Sequence, residues 1–371
     1  MPSIHDPDDK GRHPLPLDHT RQNPRNPFNF VGTHKIHLEL TQRCQAMCPM
    51  CDRCYGGMLN KHLSNADLPL DLIKQRIPHK FVSRLSSVLM CGNFGDPIFH
   101  PDLLGVVDHF ASHGHGAQIR RVVTNGGYRD PSWWSDLAKT KTYVTFSIDG
   151  LEDTNHIYRK NVKWETVMRS ATAFNMAGGK SKWVFLAFKH NEHQIEEARE
   201  LSRRMGFEAF TVKKSARFVS PVNMNLKDFD EIQPPDNPKY RNEAVENFDP
   251  SQFEGKIRCR ALNLDNMRGT IREKSRLGNN EIFISALGEV LPCCWLGSAM
   301  YKTWESPREN DVWRLIDKVG YENILLKNHS LKSIINGKFY EELGASWKID
   351  PVKMCKFKCS EKFDGYGEQF K

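Results

Sequence analysis

The chain carries ten cysteines in 371 residues, and they are unevenly placed. Cys44, Cys48, Cys51 and Cys54 fall within eleven residues, Cys293 and Cys294 are adjacent, and Cys355 and Cys359 stand near the end. Clustered thiols of this kind suit metal ligation, whereas disulfide frameworks belong to short exported chains. The spacing Cys44-x3-Cys48-x2-Cys51 puts three thiolates on one tight loop. Three thiolates can hold three irons of a [4Fe–4S] cubane and leave the fourth iron open to a ligand. Cys54 offers a different outcome, because a fourth ligand would close the site as zinc or an electron-transfer centre.

The elements that must position these thiols are legible as an alternation of apolar and amphipathic segments. Strands are expected at 35–40, 86–91, 119–124, 143–148, 183–188 and 207–212. Helical spacing appears near 69–76, 101–113, 132–138, 163–177 and 191–205, with Gly178-Gly179 and Gly206 where helix ends expect glycine. Six strand–helix repeats imply an α/β fold with a parallel sheet, a partial (β/α)6 TIM-like barrel. Its chemistry belongs at the C-terminal ends of the strands. Residues 1–32 are polar and rich in proline (Pro2, Pro7, Pro14, Pro16, Pro24, Pro27), and read as an irregular arm ordered only where Phe28 and Phe30 dock. Residues 33–215 form the expected barrel, and 216–256, broken by Pro221, Pro234, Pro235, Pro238 and Pro250, a linker. Residues 257–371 form a small α+β extension with a hairpin over 281–293 and helices near 311–318 and 330–343.

Composition narrows the classes. At 39% hydrophobic and 26% charged, the chain reads as an ordinary globular protein with material for a large core. No stretch approaches the roughly 20 apolar residues a membrane helix needs. The N-terminus lacks an export pattern, so a cytoplasmic location is expected. The net charge of +8 is weak evidence for a polyanionic partner, because basic residues are scattered. The densest groups, Lys213-Lys214 with Arg217 and Arg203-Arg204, read as solvated surface, and nucleic acid is not the expected partner.

Leu38-Glu39-Leu40-Thr41-Gln42-Arg43-Cys44 runs from a strand straight into the cysteine loop. This resembles the radical S-adenosylmethionine (radical SAM) superfamily, whose C-x3-C-x2-C loop follows the first strand of a partial barrel. The family's usual aromatic before the third cysteine is Met50 here, which implies an apolar contact to adenine. Cys91-Gly92-Asn93-Phe94-Gly95-Asp96-Pro97 resembles the glycine-rich segment that binds the methionine amine of SAM, with Asp96 in place of the usual glutamate. Thr124-Asn125-Gly126-Gly127 and Ser147-Ile148-Asp149-Gly150 end the third and fourth strands. The resemblance implies Ser147 and Asp149 at the ribose or methionine, and Arg159 at the SAM carboxylate by a bidentate contact. Asn191 reads first as a helix cap, and Cys91 as a small buried residue, with hydrogen-atom return its functional alternative.

Gly288-x4-Cys293, with Cys259, Cys355 and Cys359, resembles the SPASM/twitch extension that binds auxiliary [4Fe–4S] clusters. Five thiols there complete one cluster, with Cys259, Cys293, Cys355 and Cys359 as the ligand choice and Cys294 as a substitute. Four thiolates also suit zinc. The resemblance implies reductive cleavage of SAM by an oxidoreductase, fed by an electron donor such as flavodoxin or ferredoxin. Its substrate would be a peptide or protein side chain or a small metabolite. A nucleic-acid-modifying radical enzyme and a non-catalytic iron–sulfur or zinc protein stand as alternatives.

Overall fold

The computed structural model describes residues 26–55, 58–218, 232–243, 256–262, 280–301 and 306–360. The strands in chain order are β1 Thr33–Leu38, the short pair β2 Cys54–Tyr55 and β3 Met58–Leu59, β4 Ser87–Met90 and β5 Ile119–Thr124. They continue with β6 Tyr143–Ser147, β7 Ser181–Leu186, β8 Ala209–Lys213, β9 Asn280–Ile284 and β10 Val290–Leu291. One eight-stranded sheet runs β10-β9-β1-β4-β5-β6-β7-β8. Every pair in it is parallel except β9 with β10. The crossovers hold α1 Leu70–Arg76 and α2 His79–Val82, then α3 Leu103–His113, then α4 Pro131–Lys139. They end with α5 Asn155–Tyr158 and α6 Trp164–Met176, then α7 Ile195–Arg204. The α/β architecture expected from the alternation is present.

Local chemistry explains the elements. In β7 burial alternates strictly, with Ser181, Trp183 and Phe185 turned into the core. In α6 the buried Val167, Ser170, Ala171 and Phe174 recur at three- and four-residue spacing, the stripe that must face the sheet. Pro131 opens α4, where a missing N–H costs nothing. Between sheet and helices lies an aromatic layer: Phe146 meets Trp134 at 5.2 Å, Phe174 at 6.1 Å and Phe207 at 5.7 Å between ring centres. The indole N–H of Trp183 is satisfied inside this layer by the Ile148 carbonyl at 2.9 Å.

Three features differ from the sequence expectation. The helix placed at 191–205 begins with a 3-10 turn, Glu192–Gln194, before α7. The helix placed at 330–343 is two, Leu331–Ile335 and Lys338–Ser346, parted by Asn336-Gly337, both weak helix formers. Most consequential, β9 does not stay within the C-terminal extension. It pairs in parallel with β1 from Asn280 against Thr33 to Ile284 against Leu38. A β1 edge without it would expose unpaired backbone groups, and the buried run Ile282-Phe283-Ile284 covers that edge.

The N-terminal segment is anchored as its aromatics suggested. Phe28 sits edge-on to Tyr340 at 5.2 Å, and Phe30 stacks on Phe81 at 5.0 Å. Pro2 to Pro24, Pro221 and Pro250 lie outside the described residues. Residues 232–243 lie against the barrel, where the Asp236 and Asn237 amides donate to the Glu192 carboxylate at 2.8 and 3.0 Å. Among the described residues no helix is long and apolar enough to cross a membrane. Because Phe283 is fully buried where β9 joins β1, Phe283→Ala is expected to cost about 3–5 kcal/mol. Urea unfolding checks this, and a loss below about 1 kcal/mol would mean that β9 is no part of the core.

Candidate functional site

In a parallel sheet all strand ends of one kind share one face. The segments following β1, β4, β5, β6, β7 and β8 therefore converge. The first of them carries Cys44, Cys48 and Cys51. Cys44 Sγ accepts from the Ala46 amide at 3.3 Å and from Asn125 Nδ2 at 3.4 Å. Arg159 Nη1 lies 3.9 Å from Cys48 Sγ. Without metal, burial pushes the Cys48 thiol up to about 11, opposed by the Arg159 guanidinium, and burial raises Cys44 further. N–H donors and a cation aimed at sulfur are what a thiolate ligand set requires. Cys54 is turned differently: it starts β2, is buried, and its thiol donates to the Ala46 carbonyl at 3.8 Å, with Met47 Sδ at 3.6 Å.

The segment after β4 is shaped by two glycines. A Cβ on Gly92 would stand 2.2 Å from the Gly95 carbonyl oxygen, and one on Gly95 would stand 2.0 Å from the Thr41 carbonyl oxygen. The turn thus folds on itself and presses against the exit of β1, an approach only glycine permits. Glu39, 1% exposed, accepts from the Phe94 amide at 2.7 Å and locks the same contact. Burial raises its carboxyl to about 8, against the lowering effect of the backbone amides it faces.

Asp96 ties this turn to the next strand end. It accepts from the Asn125 amide at 2.7 Å, the Thr124 hydroxyl at 3.0 Å and the Ile98 amide at 3.2 Å. Burial still raises it to about 6. Asn125, besides touching Cys44, accepts from Gln45 Nε2 at 2.9 Å and the Gly127 amide at 2.8 Å. Asn93 Nδ2 reaches away from the barrel to the Cys294 carbonyl at 2.8 Å. Met50 is buried, and Ser147 is half-buried at the end of β6.

Asp149, expected at the ribose or methionine, has partners within the protein. Its Oδ2 pairs with Arg159 Nε at 2.6 Å and its Oδ1 accepts from the Leu186 amide at 2.7 Å. Both oxygens are engaged and the carboxylate is wholly buried, so Asp149 positions Arg159. Asn191 caps no helix: it donates to the carbonyls of Asp149 and Leu186 at 2.9 and 3.0 Å and accepts from the Phe188 amide at 2.7 Å.

A second centre lies in the C-terminal region. Gly288, at φ +80°, turns the β9–β10 hairpin that leads to Cys293. Cys259, Cys293, Cys355 and Cys359 line one small cavity together with Trp295 and Trp347. Cys259 donates to Cys359, which lowers Cys359 to about 7 and raises Cys259. Burial pushes Cys293 up to about 12. Cys294, which opens the helix Cys294–Tyr301, is not among the residues lining this cavity; its neighbours include Cys91 and Glu39. Four thiols facing one another are a donor set that suits an iron–sulfur cluster or zinc.

No protein-family model matches the chain, and no curated protein matches it. Solved structures do. SuiB of Streptococcus suis, bound to S-adenosylmethionine, aligns with 17% identity and a TM-score of 0.50 over 76% of this chain and 65% of that one. The chain thus spans less than two thirds of SuiB. The anSMEcpe structure with bound AdoMet aligns with 13% identity and a TM-score of 0.50 over 91% of this chain and 95% of that one. The same figures describe anSMEcpe with AdoMet and the Cp18Cys peptide. This chain shares the fold of these S-adenosylmethionine-bound structures.

On this fold three residues to which the sequence assigned no site role stand at the site: Glu39, Lys213 and Arg217. Of Lys213 and Arg217, both expected on the solvated surface, Arg217 is exposed. Lys213 instead is half-buried at the end of β8, lowered to about 8 by burial and by Arg217, with Cys91 and Asp149 among its neighbours. Arg217 donates to the Met50 carbonyl. Only Glu39 left a sequence signal, a lone acid between Leu38 and Leu40. Cys91, raised to about 12 by burial, stays a thiol.

Gly95→Ala is expected to destabilise by roughly 1–3 kcal/mol, because its nearest contact is backbone. Gly116→Ala, with no atom within 4 Å of the added carbon, is expected to be neutral, and equal thermal shifts would contradict the packing argument. Glu39 is raised from 4.5 to about 8, so its stabilising effect is complete below 4.5 and is lost as pH climbs through 8. Glu39→Gln should flatten that decline in urea midpoints measured between about pH 5 and 9, and parallel curves would refute it.

Proposed function

We propose that this chain is a radical SAM enzyme, with Cys44, Cys48 and Cys51 as ligands of a [4Fe–4S] cluster that binds S-adenosylmethionine at its open iron. The observation that carries this reading is the set of three thiols from one loop. They sit where the strand ends meet, with amide and guanidinium donors on Cys44 and Cys48, in a fold shared with SAM-bound enzymes. When bound, the cluster supplies the electron that splits SAM into methionine and a 5′-deoxyadenosyl radical, which takes a hydrogen atom from substrate.

The chain's own residues bind, orient and shield. The turn of Gly92, Asn93 and Gly95 presents backbone to the methionine ammonium, and Asp96 offers it a carboxylate oxygen. Arg159, held by Asp149, takes the methionine carboxylate. Met50 covers the adenine, Ser147 meets the ribose, and Asn125 orients Cys44. Cys259, Cys293, Cys355 and Cys359 hold an auxiliary [4Fe–4S] cluster, supported by the cavity they share. Lys213 and Cys91 lie toward the space where substrate would meet the radical carbon.

The net reaction is of oxidoreductase type, with a flavodoxin or ferredoxin as electron donor. The substrate is a peptide or protein side chain or a small metabolite, the first supported by the peptide bound to anSMEcpe. Anaerobic reconstitution tests the reading. About eight irons per chain are expected, with release of 5′-deoxyadenosine on adding SAM and a reductant. Cys44→Ala, Cys48→Ala or Cys51→Ala should abolish that release. Cys355→Ala or Cys359→Ala should lower iron to about four and spare uncoupled cleavage. Eight irons without SAM cleavage would make the protein an electron carrier, and zinc at both centres would remove the radical chemistry.

A further inference from the structure

Outside both cysteine centres, the start of α2 meets the last turn of α3 in the helical layer. His79 is the first residue of α2, while His109 and His113 lie four apart on α3 and so share one of its faces. One ring nitrogen from each of the three lies within 4.8 Å of the other two. His79 stacks on His113 with ring centres 3.5 Å apart, and His109 is 5.2 Å from His113.

The second ring nitrogens decide what this cluster offers. His109 Nε2 lies 3.2 Å from the Ile77 carbonyl, and His113 Nδ1 lies 2.8 Å from the His109 carbonyl. A carbonyl only accepts, so each of these nitrogens carries the proton. The neutral rings therefore present bare lone pairs at His109 Nδ1 and His113 Nε2. Fixing the tautomer of a ligating histidine through a carbonyl on its far nitrogen is the usual outer support of a metal site.

We infer that His79, His109 and His113 form a binding site for one divalent transition-metal ion, zinc by donor preference, clamping α2 to α3. Imidazole sets of this kind select zinc, cobalt, nickel or copper over magnesium and calcium. Three protein ligands leave the fourth position to water. Ligation requires the exposed His79 ring to leave its stack on His113, so it is the ligand that closes the site. This site owes nothing to the iron–sulfur reading, and its failure would leave that reading intact.

The test is cobalt(II) titration of the anaerobically reconstituted holoprotein, followed by visible absorption. One equivalent per chain should give the weak bands of nitrogen and oxygen ligation, without the intense sulfur-to-cobalt band that binding at a cysteine would give. His79→Ala and His113→Ala should each weaken binding at least about ten-fold. His79→Ala, on an exposed residue, should keep the metal-free unfolding midpoint of the parent. Zinc should raise the midpoint of the parent chain and leave that of His79→Ala unchanged. Absence of cobalt binding, a sulfur-to-cobalt band, or unchanged affinity in both variants would overturn the site.

Discussion

The carboxylate of Glu39 stands at the exit of β1, wholly out of water, and holds the amide of Phe94. A buried acid is costly unless donors meet it, and here the donors are the backbone of the glycine turn that follows β4. The cysteine loop starts only five residues later. Its position is therefore set by this one staple and by the close contact of Gly95 with the Thr41 carbonyl. From there a chain of hydrogen bonds runs through Asp96 to Asn125 and back to Cys44. A second route comes from β6 through Asp149 and Arg159 to Cys48. The thiols are held by the ends of three other strands as well as by their own loop, which is the support a reactive centre needs to keep its geometry.

The C-terminal region is held to this centre by direct contacts. β9 extends the sheet beside β1, Asn93 reaches the Cys294 carbonyl, and Asn60 reaches the Tyr301 carbonyl at 2.7 Å. Ser298 donates to Asp52, inside the cysteine loop itself. The buried Glu289, joined by Ser285 at 2.6 Å and by the hydroxyls of Tyr301 and Tyr321, braces the hairpin from behind. Burial raises its carboxyl above the ordinary value, so the bracing acid favours the protonated form. These contacts fix the spacing between the two groups of thiols.

Much of the fold was legible because burial imposes period. The alternation in β7 and the stripe of α6 follow from facing one core, and the cysteine spacing keeps three thiols on one short loop. The broken helix at Asn336-Gly337 was less legible, because two weak formers inside an apolar pattern shift the balance only slightly. The half-buried lysine at the site was not legible at all. Lys213 shares a run with Lys214 and Arg217 and looks like surface, yet the end of β8 turns toward the strand ends. The histidine cluster was equally hidden, since His79 is thirty residues from His109 in the sequence.

The sequence alone determined the strand–helix alternation and the three-thiol loop, because both are local patterns whose cause lies within a few turns of chain. Tertiary structure decided which groups meet across long separations: Asp149 with Arg159 and Leu186, Cys293 in the cavity beside Cys259, Cys355 and Cys359, and β9 against β1. The physical reason is that partner choice for a buried charge or a sheet edge depends on what the folded chain brings near. Residue type states the need for a partner, and only packing names it.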